Sequence, residues 1–267
     1  MIILSLGAGV QSSTLALMAA CGELNPLLPD CAIFSDTGAE PERVYEWLNW
    51  LETQLPFPVH RIMHKEGLRL ALIESLAGKR FASVPFYTES NGKKEGMLRR
   101  QCTNEFKVQP IKQEIRRQLG LAKGQRAGNK IIVTQLIGIS TDEASRMKPS
   151  RDKWIENRWP LIDADMSRQD CLDWLKKKGF PTPPKSACTF CPYHDNAMWA
   201  DMKLNDPLSF ADAVLTDNMV RNGVRNTSQK LYLHRSLKPL GEVDFGVAKK
   251  TGEPSQFDNE CEGMCGV

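Results

Sequence analysis

The chain has 267 residues and a formal net charge of +3; 41% of its residues are hydrophobic and 25% are charged. These values are ordinary for a folded protein of one large domain, with or without appendages, and exclude a disordered or low-complexity chain. No apolar run reaches the ~18–20 residues of a membrane span, so no membrane partner is expected.

In chain order, Ile2 to Leu6 is a short apolar run. A turn of small residues follows, then a helical pattern from Ser12 or Ser13 near its N-cap. Cys31 to Phe34 reads as a second strand, ending in Ser35, Asp36, Thr37 and Gly38. The helix after it has Pro41 in its first turn and an apolar stripe of Val44, Trp47, Leu48 and Leu51. Val59 to Met63 predicts a third strand and Leu68 to Leu76 a helix. Residues 81–100 show no clear period and are expected to be a mobile loop. Phe106 to Leu119 predicts an amphipathic helix whose start is limited by Pro110. Ile131 to Ile139 predicts a further strand, leading into Gly138 to Glu143.

Ser167 and Asp170 form a capping box that opens a helix over Cys171, Trp174 and Leu175, stopped by Gly179. Pro181, Pro183 and Pro184 then lead into Cys188-Thr-Phe-Cys191. Helices are expected over Asn196–Leu204 and Leu208–Val220, with an irregular tail from Gly241. Strands alternating with helices imply an α/β fold with a doubly wound, mostly parallel sheet. Residues 1–200 are taken as that domain, and 201–267 as a helical, cysteine-bearing C-terminal extension packed on it.

The first residues lack a basic n-region, and Gly7, Gly9 and Gln11 interrupt their apolar stretch, so they do not read as a signal peptide. A cytoplasmic location is therefore expected. There, eight cysteines point to metal or catalysis mixed with inert buried thiols rather than to disulfides. Cys21, Cys31 and Cys171 lie in apolar patterns and read as inert. The basic runs at Lys93-Lys94, Arg116-Arg117 and Lys176–Lys178 read as solvated faces; Arg99-Arg100, beside Cys102, stands apart.

In a doubly wound sheet, ligands bind beyond the carboxyl ends of the strands. Three loops fall there: Gly7–Ser13, Ser35–Gly38 and Gly138–Arg146. The first is rich in Gly and Ser and precedes a helix N-terminus, which suits a phosphate as well as a tight turn. It has neither the terminal Gly-Lys-Ser/Thr of a Walker A loop nor the spacing of a dinucleotide fold.

These motifs resemble the phosphoadenylyl-sulfate (PAPS) reductase family of the adenine-nucleotide α-hydrolase superfamily. The likeness is carried by Gly9-Val-Gln11-Ser12, by Ser35-Asp36-Thr37-Gly38 with Pro41, Glu42 and Tyr45, and by Cys102-Thr with Lys107, Val108 and Pro110. It continues through Gly138-Ile-Ser140 with Asp142, Glu143 and Arg146, and through Pro160-Leu161, spanning roughly residues 1–195. Gln11 stands where ATP pyrophosphatases of the superfamily carry Asp, which is the sulfonucleotide-reductase variant. The resemblance implies a site for an adenylyl nucleotide: APS (adenylyl sulfate), PAPS or ATP. Ser5, Gly7, Gly9, Gln11, Ser12 and Ser13 would cradle its phosphate or sulfate. Asp36, Thr37 and Gly38 would lie against the adenosine, and Gly138, Ser140 and Arg146 would complete the anion site.

The iron–sulfur branch of that family holds a 4Fe-4S cluster with a Cys-Cys pair and a Cys-x-x-Cys, and reacts through a C-terminal Glu-Cys-Gly. Cys102 matches the first Cys of the pair, but Thr103 stands at the second. Cys188 and Cys191 match Cys-x-x-Cys, and Glu260-Cys261 matches the nucleophile motif, with an extra Cys265 beyond it. The resemblance thus implies Cys102, Cys188 and Cys191 as ligands, with Cys265 or Cys261 as the fourth, or one iron left open. Spacing alone leaves zinc or an unmetallated dithiol as alternatives. His194 reads as a group lining that centre, His60 and His64 as structural or exposed, His234 with Arg235 as a weaker anion contact, and Trp199 and Met202 as core.

Three functions stand open. One is reductive sulfur chemistry on a sulfonucleotide, with Cys261 as catalytic nucleophile and Cys265 or a thioredoxin-like thiol as its resolving partner. Another is ATP-dependent sulfur insertion into tRNA or DNA. The third is a nucleotide-binding protein with structural zinc.

Overall fold

The structure is a computed structural model that describes residues 1–246 except Glu66, Asn226 and Ser228. In chain order its elements are β1 (Ile2–Leu6), α1 (Val10–Ala20), β2 (Cys31–Asp36), α2 (Glu42–Gln54), β3 (Val59–Met63), α3 (Gly67–Leu76), β4 (Tyr87–Ser90) and β5 (Lys93–Met97). There follow α4 (Gln109–Gln118), β6 (Val133–Ile137), β7 (Ile155–Arg158), α5 (Pro160–Asp163), α6 (Arg168–Lys178), α7 (Asn196–Asn205), α8 (Pro207–Val220) and β8 (Lys230–Tyr232).

The main sheet has the order β3-β2-β1-β6-β7, with every pair parallel. Alternation along its strands sends two sets of side chains to opposite faces. Leu4, Leu6, Ala32, Phe34 and Leu136 face one core with α1, α2 and α6. Ile3, Cys31, Ile33, Val133 and Ile137 face the other, with Ile111 and Ile115 of α4. The sheet is therefore covered on both faces, as the alternating pattern implies. Val44, Trp47, Leu48 and Leu51 of α2 are all buried; their i, i+3, i+4, i+7 spacing aims them at one face, each worth about 2 kcal/mol of transfer free energy.

The expectation of a loop over residues 81–100 is corrected. β4 and β5 form an antiparallel hairpin around Asn91 (φ 52°) and Gly92 (φ 75°). Both turn residues are left-handed, the geometry of a type I′ turn. β8 pairs with β4 to make a second, three-stranded antiparallel sheet. A third core, built on Phe86, Phe106, Phe190 and Trp199, joins this sheet to α7 and α8. The C-terminal stretch therefore supplies a strand as well as helices. Cys31 and Cys171 are buried, but Cys21 is exposed just past the end of α1, which corrects its expected burial. Among the described residues, no helix is long and apolar enough to cross a membrane.

Candidate functional site

β1 and β6 are adjacent strands whose following segments diverge, β1 leading toward β2 and β6 toward β7. Their carboxyl ends thus make the topological switch point of the sheet. The loop after β1 is buried there and bonded to itself: the Gly7 amide donates to Ser12 Oγ at 3.1 Å, and the Ser12 hydroxyl donates to the Gly9 carbonyl at 3.4 Å. Ala8 is left-handed (φ 58°), and the N-cap Gly9 offers α1 no side-chain cap. The first amides of α1 are thus left to the backbone and to any anion placed before them.

The loop after β6 lies directly on this turn. A Cβ built on Gly138 would stand 2.8 Å from both the nitrogen and Cα of Ser12, so only glycine allows the approach. Gln11 reaches across, its Nε2 donating to Ser140 Oγ at 3.3 Å, while its buried Oε1 has no partner. Two of the expected nucleotide contacts point elsewhere. Ser13 accepts a 2.9 Å bond from the Trp47 indole, and Ser5 accepts one of 2.5 Å from Gln135 within the sheet. Arg146 is ion-paired with buried Glu143 on the single 3₁₀ turn after Ser140.

At the end of β2, Asp36 Oδ1 accepts bonds from the Gly38 amide (2.7 Å) and the Tyr45 hydroxyl (2.8 Å). Burial first, then that bond to Asp36, pushes the Tyr45 hydroxyl far above its ordinary range. Thr37 turns the other way, its hydroxyl 3.2 Å from Cys188 Sγ. This contact joins the β2 loop to the thiols.

Cys102, Cys188 and Cys191 all line one cavity, walled also by Arg100, Lys107 and Tyr193. Cys102 opens a helical run that passes through a π turn, Asn104–Val108, into α4. The Cys-x-x-Cys turn is closed by the Cys191 amide on the Cys188 carbonyl at 3.1 Å and tied to the β2 loop by the Thr189 amide on the Ala39 carbonyl at 2.7 Å. Behind it Glu40, with its side chain 1% exposed, faces Lys107 Nζ at 3.7 Å. Glu40 also lies within 3.9 Å of Cys188 Sγ. Its place could not be read locally, because its partners come from residues 37, 107, 186 and 188.

By donor type, the three soft sulfurs would suit a thiophilic centre, beside Arg100 and the Glu40-paired Lys107. Among the described residues, no group of three donors stands ready to hold a metal ion. The cavity, about 20 Å³, has room for about one water. Cys261 and Cys265 lie outside the described residues. His194 is buried beside Trp199 and pushed down to about 3, by burial and then by Lys185 and Arg43. His234 is buried against Asn196 and Ser236, and its ring is held down to about 4 by burial and then Arg235. Trp199 and Met202 are core residues, as expected.

A wide cleft of about 1250 Å³ opens next to the thiol cavity, and Arg100 lines both. Among the described residues, its walls carry nine lysines and arginines against three carboxylates. None of Gly7–Ser13 and neither Asp36 nor Arg146 borders it. No single motif announced the cleft, since its cations come from six separated segments.

Among solved structures, the chain is similar to a crystal structure of phosphoadenylyl-sulfate (PAPS) reductase from Candida auris, a phosphate complex. The two share 14% identity over 68% of this chain and 74% of that chain, with a TM-score of 0.45. No family model and no curated protein matches it. The thiol cavity is joined to the loop after β2 by the Thr37–Cys188 contact.

Proposed function

We propose that the chain is a sulfonucleotide reductase-like enzyme that binds an adenylyl sulfonucleotide at the carboxyl ends of β1, β2 and β6 and reduces its sulfur with thiols. The single observation that supports this best is the Thr37 hydroxyl at 3.2 Å from Cys188 Sγ, which sets the Asp36–Gly38 loop against the Cys-x-x-Cys turn. The nucleotide's anion lies on the Ala8 and Gly9 amides and the N-terminus of α1, with Gln11 and Ser140 lining the far side. Arg146, held by Glu143, supplies charge from the loop after β6.

Cys102, Cys188 and Cys191 would hold a 4Fe-4S cluster once the turn that carries them opens, with Cys265 as fourth ligand and Cys261 left free to react; zinc is the alternative occupant. When bound, the cluster supplies a charged centre beside the substrate, whose potential the surrounding hydrogen bonds tune. The reaction itself is carried by the tail. The Cys261 thiolate attacks the sulfonate sulfur; the S–S bond forms as the S–O bond breaks, and the nucleoside phosphate leaves with the electron pair. A second thiol, from a thioredoxin-like partner, then attacks the Cys261 sulfur, and sulfite leaves with its electron pair. Two thiols are oxidised to a disulfide as the sulfur falls by two electrons.

Thiol-dependent sulfite release from APS and PAPS tests this. The wild type is expected to release sulfite, and Cys261→Ser to lose at least ~10³-fold, the scale of a missing nucleophile. Full activity in that variant, or turnover of ATP alone, overturns the reading.

A further inference from the structure

The large cleft is more basic than the chain that carries it. The whole chain has a net charge of +3, yet among the described residues the cleft walls set nine cations against three carboxylates. Two of those carboxylates are already engaged, Glu105 with Arg80 and Asp152 with Lys112. Lys79, Arg99, Lys148 and Arg151 are exposed and make no side-chain hydrogen bond or ion pair with any described residue. Uncompensated cations gathered in one concavity attract a polyanion.

A second, independent feature narrows the partner. Phe81 is 57% exposed in the cleft wall, with the Arg225 guanidinium 5.9 Å from its ring centre. An exposed aromatic face among phosphate-binding cations is what an unpaired base stacks upon; a duplex hides its base faces, and an anionic peptide has no use for the ring. The cleft, at about 1250 Å³, also exceeds the roughly 300–1,000 Å³ of small-molecule sites.

We propose that this cleft binds a single-stranded segment of nucleic acid, with its phosphates on Lys79, Arg99, Lys148 and Arg151 and one base on Phe81. Arg100 stands on the wall shared with the thiol cavity, so a strand seated there passes beside Cys102. This goes beyond the reductase reading and does not depend on it.

The test is fluorescence anisotropy of the full-length protein with a labelled 12-nucleotide oligo(dT), an oligo(U), the matching duplex and polyglutamate of equal charge. The single strands are expected to bind more tightly than the duplex and polyglutamate. With those four phosphates neutralised, affinity falls about 50-fold between 50 and 200 mM salt. Phe81→Ala is expected to weaken binding about 10-fold, the scale of one lost base stack. The exposed pair Lys148→Glu with Arg151→Glu weakens it at least as much and flattens the salt slope. Lys176→Glu with Lys177→Glu, on α6 away from the cleft, is the control of equal charge change. No measurable binding of the single strands, equal loss in that control, or duplex or polyglutamate binding as tight as the single strands overturns the proposal. Binding is read without turnover, so the reductase reading can fail while this one stands.

Discussion

Gly138 shows how one missing side chain sets the geometry of a site. The atoms that a Cβ would meet at 2.8 Å are the backbone of Ser12, which cannot swing aside. Gly138→Ala is therefore expected to cost about 1–3 kcal/mol, read from the urea midpoint, and to weaken nucleotide binding by prising the two loops apart. Glu105 makes a prediction in pH. Burial alone would raise its carboxyl, but hydrogen bonds from Arg80 and Ser83 outweigh it and hold the group below its ordinary 4.5. A carboxyl with a depressed folded pKa stabilises the fold above that ordinary value, and the contribution is lost as pH falls through the folded pKa. Glu105→Gln should thus cost about 1 kcal/mol at pH 7 for this half-exposed pair. The cost should shrink progressively as pH falls below 4.5, as thermal melts at pH 7 and across the acid range would show. A penalty that does not shrink in acid would mean that packing, not charge, is what the substitution removes.

At the scale of elements, α6 was legible from both ends. Ser167 and Asp170 form the reciprocal capping box, and Gly179 closes the helix at φ 77°. These signals act within a few residues, so tertiary context cannot mask them. Ser167→Ala is expected to lower stability by about 1 kcal/mol, with the loss recovered by Ser167→Asp. The β4–β5 hairpin was missed although Asn91-Gly92 marks its turn. The reason is physical: β5 is Lys93, Lys94, Glu95, Gly96, Met97, largely exposed at a sheet edge, so it has no apolar alternation to read. The switch-point loops were legible because each is one continuous motif. Glu40 and the basic cleft were not, because their members meet only after β2, α3, α4 and the loop after β6 have come together.

Across the whole molecule, the two faces of the main sheet sort the thiols by reactivity. Cys171 is buried among the helices of one face and pushed up to about 12 by that burial; Cys31, on the other, is also raised by burial. Cys21 is exposed. Timed alkylation of the native protein at pH 8, followed by peptide mass spectrometry, should label Cys21 within minutes and leave Cys31 and Cys171 unlabelled until denaturant is added. Labelling of Cys171 at the rate of Cys21 would show that the α1–α6 layer opens far more readily than its packing implies.

β8 brings a final consequence, one of timing. Its Tyr232 pairs with Tyr87 of β4, so the small sheet joins residues made far apart during synthesis. At a ribosome's ~5–20 residues per second, the hairpin waits on the order of 10 s for its third strand. Until then one side of β4 presents bare amides and carbonyls, a ready template for the wrong neighbour. The nascent chain is therefore most exposed to mispairing after its parallel sheet can already have formed, in the interval before residue 232 leaves the exit tunnel.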